Sequence, residues 1–260
     1  MRLLLTALTS ATLASAVLVG GMASADASSK YSVTIAASVT KLGLGHTFTL
    51  KGSVSPGAKG KTVTIQRKYA GGSWATITHA TLSSTSKYAK VIKPSKAAVT
   101  SYRVVKGSSS SHGTGTSSTK VVTVSRWRYL TDLPQLDVTL GAGESNTATI
   151  IGRVFPHSIK AAGGGSITYT LNKACTAFTT VIGMDDTSSS GATGFATALL
   201  TYDGHGGGFF GFLPVSVGEF GTYVTSEAGL TDVIAIELDG SSASNAQIVV
   251  YGTPQVYCAS

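Results

Sequence analysis

Residues 61–81, KTVTIQRKYAGGSWATITHAT, carry the pattern that decides the fold. Val63 and Ile65 alternate with polar neighbours, so one face of this segment is apolar and the other is polar. The Gly71-Gly72 pair that follows permits a tight turn. The segment therefore predicts a β-hairpin in which Val63 and Ile65 face a core.

The same period of two recurs along the chain after residue 25, and no segment there shows apolar residues at helical spacing. The sequence therefore predicts an all-β protein. The first half is expected to form about seven short strands, the number typical of an immunoglobulin-like β-sandwich. These strands are expected at Tyr31–Ala36, His46–Val54, Lys61–Tyr69, Trp74–Thr81, Lys87–Lys93, Ser101–Lys106 and Lys120–Val124.

The first half also resembles a bacterial immunoglobulin-like repeat of the kind found in secreted actinomycete proteins. The resemblance rests on the order of three stretches, FTLKGSVSPGAKGKTVTIQRKYAGGSWATITHATL, YAKVIKPSKAAVTSYRVVKGSSSSHG and STKVVTV. It implies a spacer or adhesive role, because such repeats share no catalytic residues. Trp74 is expected to fill the core of this sandwich, with stacking on a ligand as the alternative.

The two halves of the chain carry opposite charge. Residues 30–125 contain fourteen Lys and Arg and no Asp or Glu, whereas residues 129–260 contain eleven acidic residues and three basic ones. A surface with this excess of positive charge attracts polyanions such as teichoic acid, anionic polysaccharide or extracellular DNA. Nucleic acid is the least favoured of these, because the sequence has no recognised nucleic-acid-binding motif. The alternatives are a solvated basic surface that serves solubility, and docking of the basic half on the acidic half.

Residues 1–25 are typical of a signal peptide, with Arg2, an apolar stretch, and small residues before Asp26. We therefore expect an extracellular, secreted protein that is held at a cell wall, if at all, without a covalent link. No later stretch is apolar over about eighteen residues, so no membrane span is expected. In an oxidising compartment Cys175 and Cys258 are expected to form one disulfide.

The second half is predicted to be a separate jelly-roll β-sandwich, with a boundary between residues 125 and 126. The expected domains are thus 26–125 and 126–260, joined by almost no flexible sequence. The strands of the second domain are expected at Thr147–Val154, Ser166–Leu171, Thr176–Met184, Phe195–Tyr202, Val233–Leu238 and Ala246–Tyr251, with another near Phe209–Val217.

Five stretches of this half, YLTDLPQLD, GRVFPHSI, GSITYTLNKACTAFTTVIGMDD, ALLTYDG and VYGTPQVYC, follow the order seen in the NPCBM family of carbohydrate-binding modules. The resemblance spans about residues 128–258. It implies a galactose-binding-like jelly roll that binds sugars without cleaving them. The chain departs from the family at residues 247–253, where the polar residues of the closing segment are missing. This departure leaves open a different glycan, weaker binding, or a domain that keeps only the fold.

Asp185 and Asp186 are candidate ligand-binding residues at the end of a predicted strand. Neighbours on a strand point to opposite faces, so the pair does not suit glycoside hydrolysis, in which two carboxyl groups face one bond. The two carboxylates are also candidate calcium ligands, with a solvated turn as the alternative. No cofactor is expected to be required, and calcium is the one metal that the pattern suggests.

Further candidate ligand residues are Asp203, His205 and Phe209, in the glycine-rich stretch YDGHGGGFFGF at residues 202–212, and Tyr251 near the C-terminus. An aromatic ring in this stretch either stacks on a sugar or packs beneath the loop. The sequence contains none of the motifs HExxH, GxSxG, CxxC or a phosphate-binding loop. We therefore expect a protein that is not an enzyme.

Together these features predict a secreted, non-catalytic carbohydrate-binding protein. Its second module would bind a polysaccharide or other glycan, and its basic first module would act as a spacer or attract a polyanion. The alternative is a structural or adhesive wall-associated protein whose jelly roll no longer binds sugar.

Overall fold

The structure, a computed structural model, describes residues 29–203, 205–224, 230, 232–243 and 246–259; of residues 205, 206 and 209–212 it describes the backbone alone. The predicted signal peptide, residues 1–25, lies outside the described residues. None of the helical segments that the structure describes is long and apolar enough to cross a membrane.

The prediction of an all-β protein built from sandwiches is confirmed. A single turn of 3-10 helix at Leu130–Asp132 interrupts the strands within the described residues. The strands of the first half are β1 (Ser32–Val33), β2 (Ala36–Ala37), β3 (Lys41–Gly43), β4 (Phe48–Ser55), β5 (Thr62–Tyr69), β6 (Ala75–Thr81), β7 (Lys87–Ile92), β8 (Ala98–Lys106), β9 (Gly115–Thr116) and β10 (Lys120–Tyr129). Those of the second half are β11 (Gln135–Val138), β12 (Ala142–Ser145), β13 (Ala148–Ile150), β14 (Arg153–Phe155), β15 (Ser158–Ala162), β16 (Gly165–Thr170), β17 (Cys175–Met184), β18 (Thr193–Tyr202), β19 (His205–Ser216), β20 (Phe220–Val224), β21 (Val233–Ser242) and β22 (Ile248–Cys258).

The first half forms a sandwich of two sheets. In one sheet β4 pairs with β1, β2 and β7, and in the other the strand order is β10-β8-β5-β6, with β3 on β10 and β9 on β8. Strands β5 and β6 form the predicted hairpin, and Gly71 adopts a φ of 69° in its turn. Val63 and Ile65 are buried in the core, as predicted. The immunoglobulin-like assignment of this sandwich stays a prediction.

Trp74 was predicted to fill the core, but it lies half-buried at the start of the β6 side of the hairpin. The Nζ atom of Lys68 and the guanidinium of Arg103 lie over its indole, at 5.4 and 4.3 Å from the ring centroid. Tyr102 and Phe48, in edge-to-face contact, supply the aromatic packing of the core instead. Because residues 30–125 contain no Asp or Glu, the face of an aromatic ring is a favourable neighbour for a cation there.

Strand β10 runs through the predicted boundary without interruption. Lys120–Val124 pairs with β8, and Arg126–Tyr129 pairs with β22. The change of partner falls at Ser125. The buried core of the first half extends to Val122, and the main core of the second half begins at Leu130.

The second half is also a sandwich. One sheet has the order β11-β16-β21-β18-β19; in the other, β22 pairs with β17 along one side and with β15 and then β10 along the other. Three alternating residues point into the core between the sheets: Ile167 and Tyr169 of β16, and Leu171 directly after it. The predicted disulfide is confirmed: Cys175 and Cys258, the first residue of β17 and the last of β22, are bonded.

The segment Thr147–Val154 was predicted as one strand, but it forms the hairpin β13–β14. Ile151 and Gly152 turn the chain with φ values of 50° and 67°. Strands β11, β12, β15 and β20 were not predicted. Alternation in these segments is short or broken, so the sequence alone gave little signal for them.

Candidate functional site

The predicted ligand residues do not converge on one site. Asp185 and Asp186 follow the last residue of β17, whereas Asp203 forms an ion pair with Lys173, which precedes the first residue of the same strand. A ten-residue strand is about 30 Å long at roughly 3.3 Å per residue. These aspartates therefore lie at opposite ends of the second sandwich.

Asp185 is fully buried and is part of a network that holds the end of β17. Its Oδ2 atom lies 2.8 Å from Lys160 Nζ, and its Oδ1 atom accepts hydrogen bonds from the hydroxyl and backbone N–H of Thr187, at 2.5 and 3.1 Å. Burial alone would raise the pKa of this carboxyl, but the hydrogen bonds from Lys160 and Thr187 outweigh it and lower the pKa. Asp185 is therefore a charged structural residue rather than part of a solvated turn.

Asp186 fixes the β13–β14 hairpin. Its two carboxylate oxygens accept hydrogen bonds from the backbone N–H groups of Ile151 and Gly152, at 2.7 and 2.8 Å. These are the two residues with positive φ that turn the chain, so the carboxylate satisfies N–H groups that the turn leaves unpaired.

These contacts suit a calcium ion poorly. The oxygens of both carboxylates are occupied by N–H or O–H donors, and the Lys160 ammonium beside Asp185 would repel a cation. Within the described part of the chain, no group of three His, Cys, Asp or Glu side chains is arranged to hold a metal ion. Calcium binding stays a prediction, to be tested with a chelator.

The β18–β19 hairpin contains the other acidic and aromatic candidates. Asp203 is exposed, and its ion pair with Lys173 lowers its pKa. The side chains of His205 and Phe209 lie outside what the structure describes, although their backbone pairs with β18.

Tyr251 is a core residue and not a surface residue that a ligand can reach. It is 1% exposed, and its Oη atom accepts a hydrogen bond from the N–H of Thr197 at 2.7 Å. The hydroxyl donates to the backbone carbonyl of Asp239 or of Thr197, at 2.6 and 2.7 Å. Burial strongly raises the pKa of Tyr251. Because β22 is buried on both faces here, this structure offers no accessible surface for the ligand role predicted for Tyr251.

The surface does offer a group of rings where β10 meets β22. Trp127 and Tyr257 are paired across these strands, with ring centroids 5.3 Å apart, and Trp127 is 45% exposed. Two residues further along β10, Tyr129 is stacked on His157 with centroids 4.0 Å apart and an angle of 8°. We call these four side chains, Trp127, Tyr129, His157 and Tyr257, the aromatic row.

Polar side chains extend the aromatic row across the sheet. Gln255 pairs with Tyr129 on one side and with Thr179 on the other, and both Gln255 and Thr179 are half-buried. Alternate residues on a strand point to the same face and lie about 7 Å from each other, so Trp127 and Tyr129 line one surface. Rings beside amide and hydroxyl groups suit a ligand that has both apolar C–H faces and hydroxyl groups.

The aromatic row lies next to strand β3 of the first half. Strand β3 runs parallel to Thr123–Ser125 of β10, directly before the segment of β10 that pairs with β22. A Cβ atom at Gly43 would lie 3.0 Å from Tyr257 Oη, so a glycine leaves room for that hydroxyl.

Sequence reasoning alone does not find this row. It leaves the exposure of Trp127 open, and His157, directly after Pro156, is more typical of a strand edge than of a ligand residue. The outward orientation of the half-buried Tyr257 follows from the sequence, because a residue beside a buried disulfide cysteine on a strand faces the other way. The pairing of Trp127 with Tyr257 depends on the register of β10 and β22, which are far apart in sequence.

Comparison with known proteins supports the predicted family. The NPCBM/NEW2 domain family model matches residues 106–204, which begin earlier than the expected residue 128 and end before the first residue of β19. No curated protein sequence matches the chain.

Several solved structures match the chain at low identity and with TM-scores below 0.5. The chain is 14% identical, with a TM-score of 0.41, to "CBM51-2 in complex with GlcNAc and INT domains" from Clostridium perfringens ZmpB, covering 63% of this chain and 38% of that one. It is 15% identical, with a TM-score of 0.39, to CBM51 from Clostridium perfringens GH95 in complex with methyl-galactose, covering 50% of this chain and 99% of that one. The chain thus spans well under half of the first of these structures. The family evidence is thus a match of residues 106–204 to the NPCBM/NEW2 domain model, a range that runs from the last residue of β8 to just past the end of β18.

Proposed function

We propose that this protein is a secreted, non-catalytic carbohydrate-binding protein and that the aromatic row binds the glycan. The observation that carries the proposal is the exposed Trp127 beside Tyr257, on a strand that lies within the matched NPCBM/NEW2 range. Exposed apolar rings that are grouped in one patch mark binding surfaces, whereas single exposed rings elsewhere on a surface do not.

The proposed binding mode combines stacking with hydrogen bonds. The apolar face of a sugar ring would lie on Trp127 and Tyr257, and sugar hydroxyls would exchange hydrogen bonds with Gln255 and Thr179. This mode needs no metal, because the aromatic row is separate from Asp185 and Asp186. It also needs no catalytic group, since nothing in it activates a water molecule or protonates a leaving group.

An extracellular location is part of the proposal, with association to a cell wall following from glycan binding. Residues 1–25 have the pattern of a signal peptide. The Cys175–Cys258 disulfide supports an oxidising compartment.

The test is retention of the full chain on a panel of immobilised glycans, including galactose-containing ones, with calcium and with a chelator. The key variant is Trp127→Ala, and the matched control is Phe220→Ala, which removes a ring that is 53% exposed elsewhere in the second half. We expect the wild-type chain to be retained on at least one neutral glycan. Trp127→Ala should weaken retention at least about tenfold, equivalent to roughly 1.4 kcal/mol, while Phe220→Ala should leave it unchanged.

Other outcomes separate the alternatives. Retention that Trp127→Ala leaves intact would place the sugar site elsewhere, and retention lost with chelator would assign a role to calcium. If no glycan retains the chain, the structural or adhesive role becomes the better account, with a jelly roll that has kept only its fold.

A further inference from the structure

A second candidate surface is a cleft in the basic first half, between the edges of its two sheets. Strand β7 is the edge of one sheet and β6 the edge of the other. The cleft between them has a volume of about 490 Å³, and its lining includes three cations and three Ser or Thr hydroxyl groups beside apolar residues and Tyr102: Arg67, Lys90, Lys93, Thr76, Thr78 and Ser95. We call it the cationic cleft.

Two of these cations reach the cleft from opposing sheets. Lys90 lies between Tyr88 and Ile92 on β7, and because those two side chains are buried, Lys90 is on the inward face of the strand. Arg67 on β5 pairs with the buried Tyr102, and its Nη1 atom donates a hydrogen bond to Ser95 Oγ at 3.2 Å. The exposed Lys93 lies directly after β7.

Within residues 30–125, no carboxylate is present to neutralise these charges. Residues 30–125 contain no Asp or Glu, and both ion pairs among the described residues are in the second half. Like charges that face one cleft repel each other, and an anion placed between them would relieve the repulsion. Arg67 Cζ and Lys96 Nζ instead lie over the ring of Tyr69, at 4.8 and 4.0 Å from its centroid.

The lining favours an acidic sugar chain over nucleic acid. Proteins that bind single-stranded nucleic acid stack its bases on accessible aromatic rings. The ring that lines this cleft, Tyr102, is 2% exposed, and the nearby Tyr69 is covered by cations. In the cleft, the positive charges are separated by Ser and Thr hydroxyl groups. This spacing instead suits a polysaccharide that carries single carboxylates along a chain of sugar hydroxyl groups.

We propose that the cationic cleft binds an acidic polysaccharide whose carboxylates pair with Arg67, Lys90 and Lys93. The function goes beyond the neutral glycan binding proposed for the second half. A purely structural role for Lys90 is the competing explanation, because inward-pointing charges on edge strands also prevent sheets from pairing with each other.

The test measures binding of the full chain to polygalacturonate, with neutral galactan and single-stranded DNA as comparison ligands. The cleft variant is Arg67→Gln/Lys90→Gln. The control variant, Lys59→Gln/Lys61→Gln, removes the same charge from two exposed positions outside the cleft. We expect the cleft variant to bind polygalacturonate at least about tenfold more weakly and the control variant less than about threefold more weakly, with binding that falls as salt rises.

Equal losses in the two double variants would show diffuse attraction to net charge and would overturn the proposal, as would binding of DNA in preference to polygalacturonate or no binding at all. If the cleft variant fails to fold, Lys93→Gln at the mouth of the cleft replaces it. This single substitution should weaken the affinity for polygalacturonate about threefold. Trp127→Ala should leave polygalacturonate binding unchanged, so failure of this proposal can be distinguished from failure of the aromatic row.

Discussion

The disulfide between Cys175 and Cys258 allows a quantitative prediction about the second half. It joins the start of β17 to the end of β22, strands that are already paired from Cys175 with Cys258 to Met184 with Val249. Because the native strands hold these ends together, the bond acts mainly by restricting the unfolded chain. Applying the chain-entropy relation to a sequence separation of 83 residues gives about 4.5 kcal/mol at 25 °C.

The perturbation is the double substitution Cys175→Ala/Cys258→Ala. A loss of about 4.5 kcal/mol is a large share of the roughly 5–15 kcal/mol that typically stabilises a domain. We expect this loss of unfolding free energy in the transition of the second half. The transition of the first half should change little, because the two halves have separate buried cores.

The assay is urea unfolding followed by tryptophan fluorescence. The chain contains two tryptophans, Trp74 and Trp127, one in each half. In a Trp74→Phe background the emission reports the second half, and in a Trp127→Phe background it reports the first. A loss below about 1 kcal/mol, or an equal loss in both backgrounds, would refute the argument that the bond stabilises the second half by restricting its unfolded chain.

Three further substitutions are predicted to destabilise the fold, each measured by urea unfolding. Tyr251→Phe should cost about 1–3 kcal/mol, because it leaves the buried N–H of Thr197 without its acceptor; an unchanged midpoint would contradict this. Asp185→Asn should cost about 3 kcal/mol near pH 7, because it leaves the ammonium of Lys160 unpaired. Since the fold lowers the pKa of Asp185, this difference should be present above about pH 4 and should shrink as the pH falls below it; a difference that stays constant down to pH 2 would contradict the assignment. Gly52→Ala should cost about 1–3 kcal/mol through overpacking, because its Cβ would lie 2.1 Å from a backbone carbonyl oxygen; a stability within about 0.5 kcal/mol of wild type would show that the strands move apart freely.

Local alternation and composition were enough to predict much of the fold. The burial of Val63 and Ile65, the β5–β6 hairpin and the disulfide each follow from residue type, spacing or the pairing of two cysteines. The burial of Tyr251 shows where this reasoning gives little information. Val250, beside it on β22, packs with the β13–β14 hairpin in a small separate core, while Tyr251 packs in the main core. A strand buried on both faces has no alternation to reveal which side chains are accessible.

The candidate sites depend on contacts between residues that are distant in sequence. Asp185 is an ion-paired residue because β15, which was not predicted, presents Lys160 to it. The cationic cleft combines residues of several strands, so composition predicted its charge and the arrangement of the two sheets determined its position. Trp127 and Tyr257 likewise meet through strand register alone.

Strand β10 also affects how the two proposals are best tested. Because β10 pairs with β8 in one half and with β22 in the other, cutting the chain between residues 125 and 126 would divide a continuous strand. Point variants of the full chain therefore separate the aromatic row from the cationic cleft more cleanly than isolated halves would.

The central claim, that a glycan lies on Trp127, is tested most directly by fluorescence titration. In the Trp74→Phe variant, Trp127 is the one tryptophan that remains. Adding a glycan that retains the chain should change its emission in a saturable manner, with the same midpoint as the retention assay. Saturable binding of that glycan with no change in Trp127 emission would contradict the account.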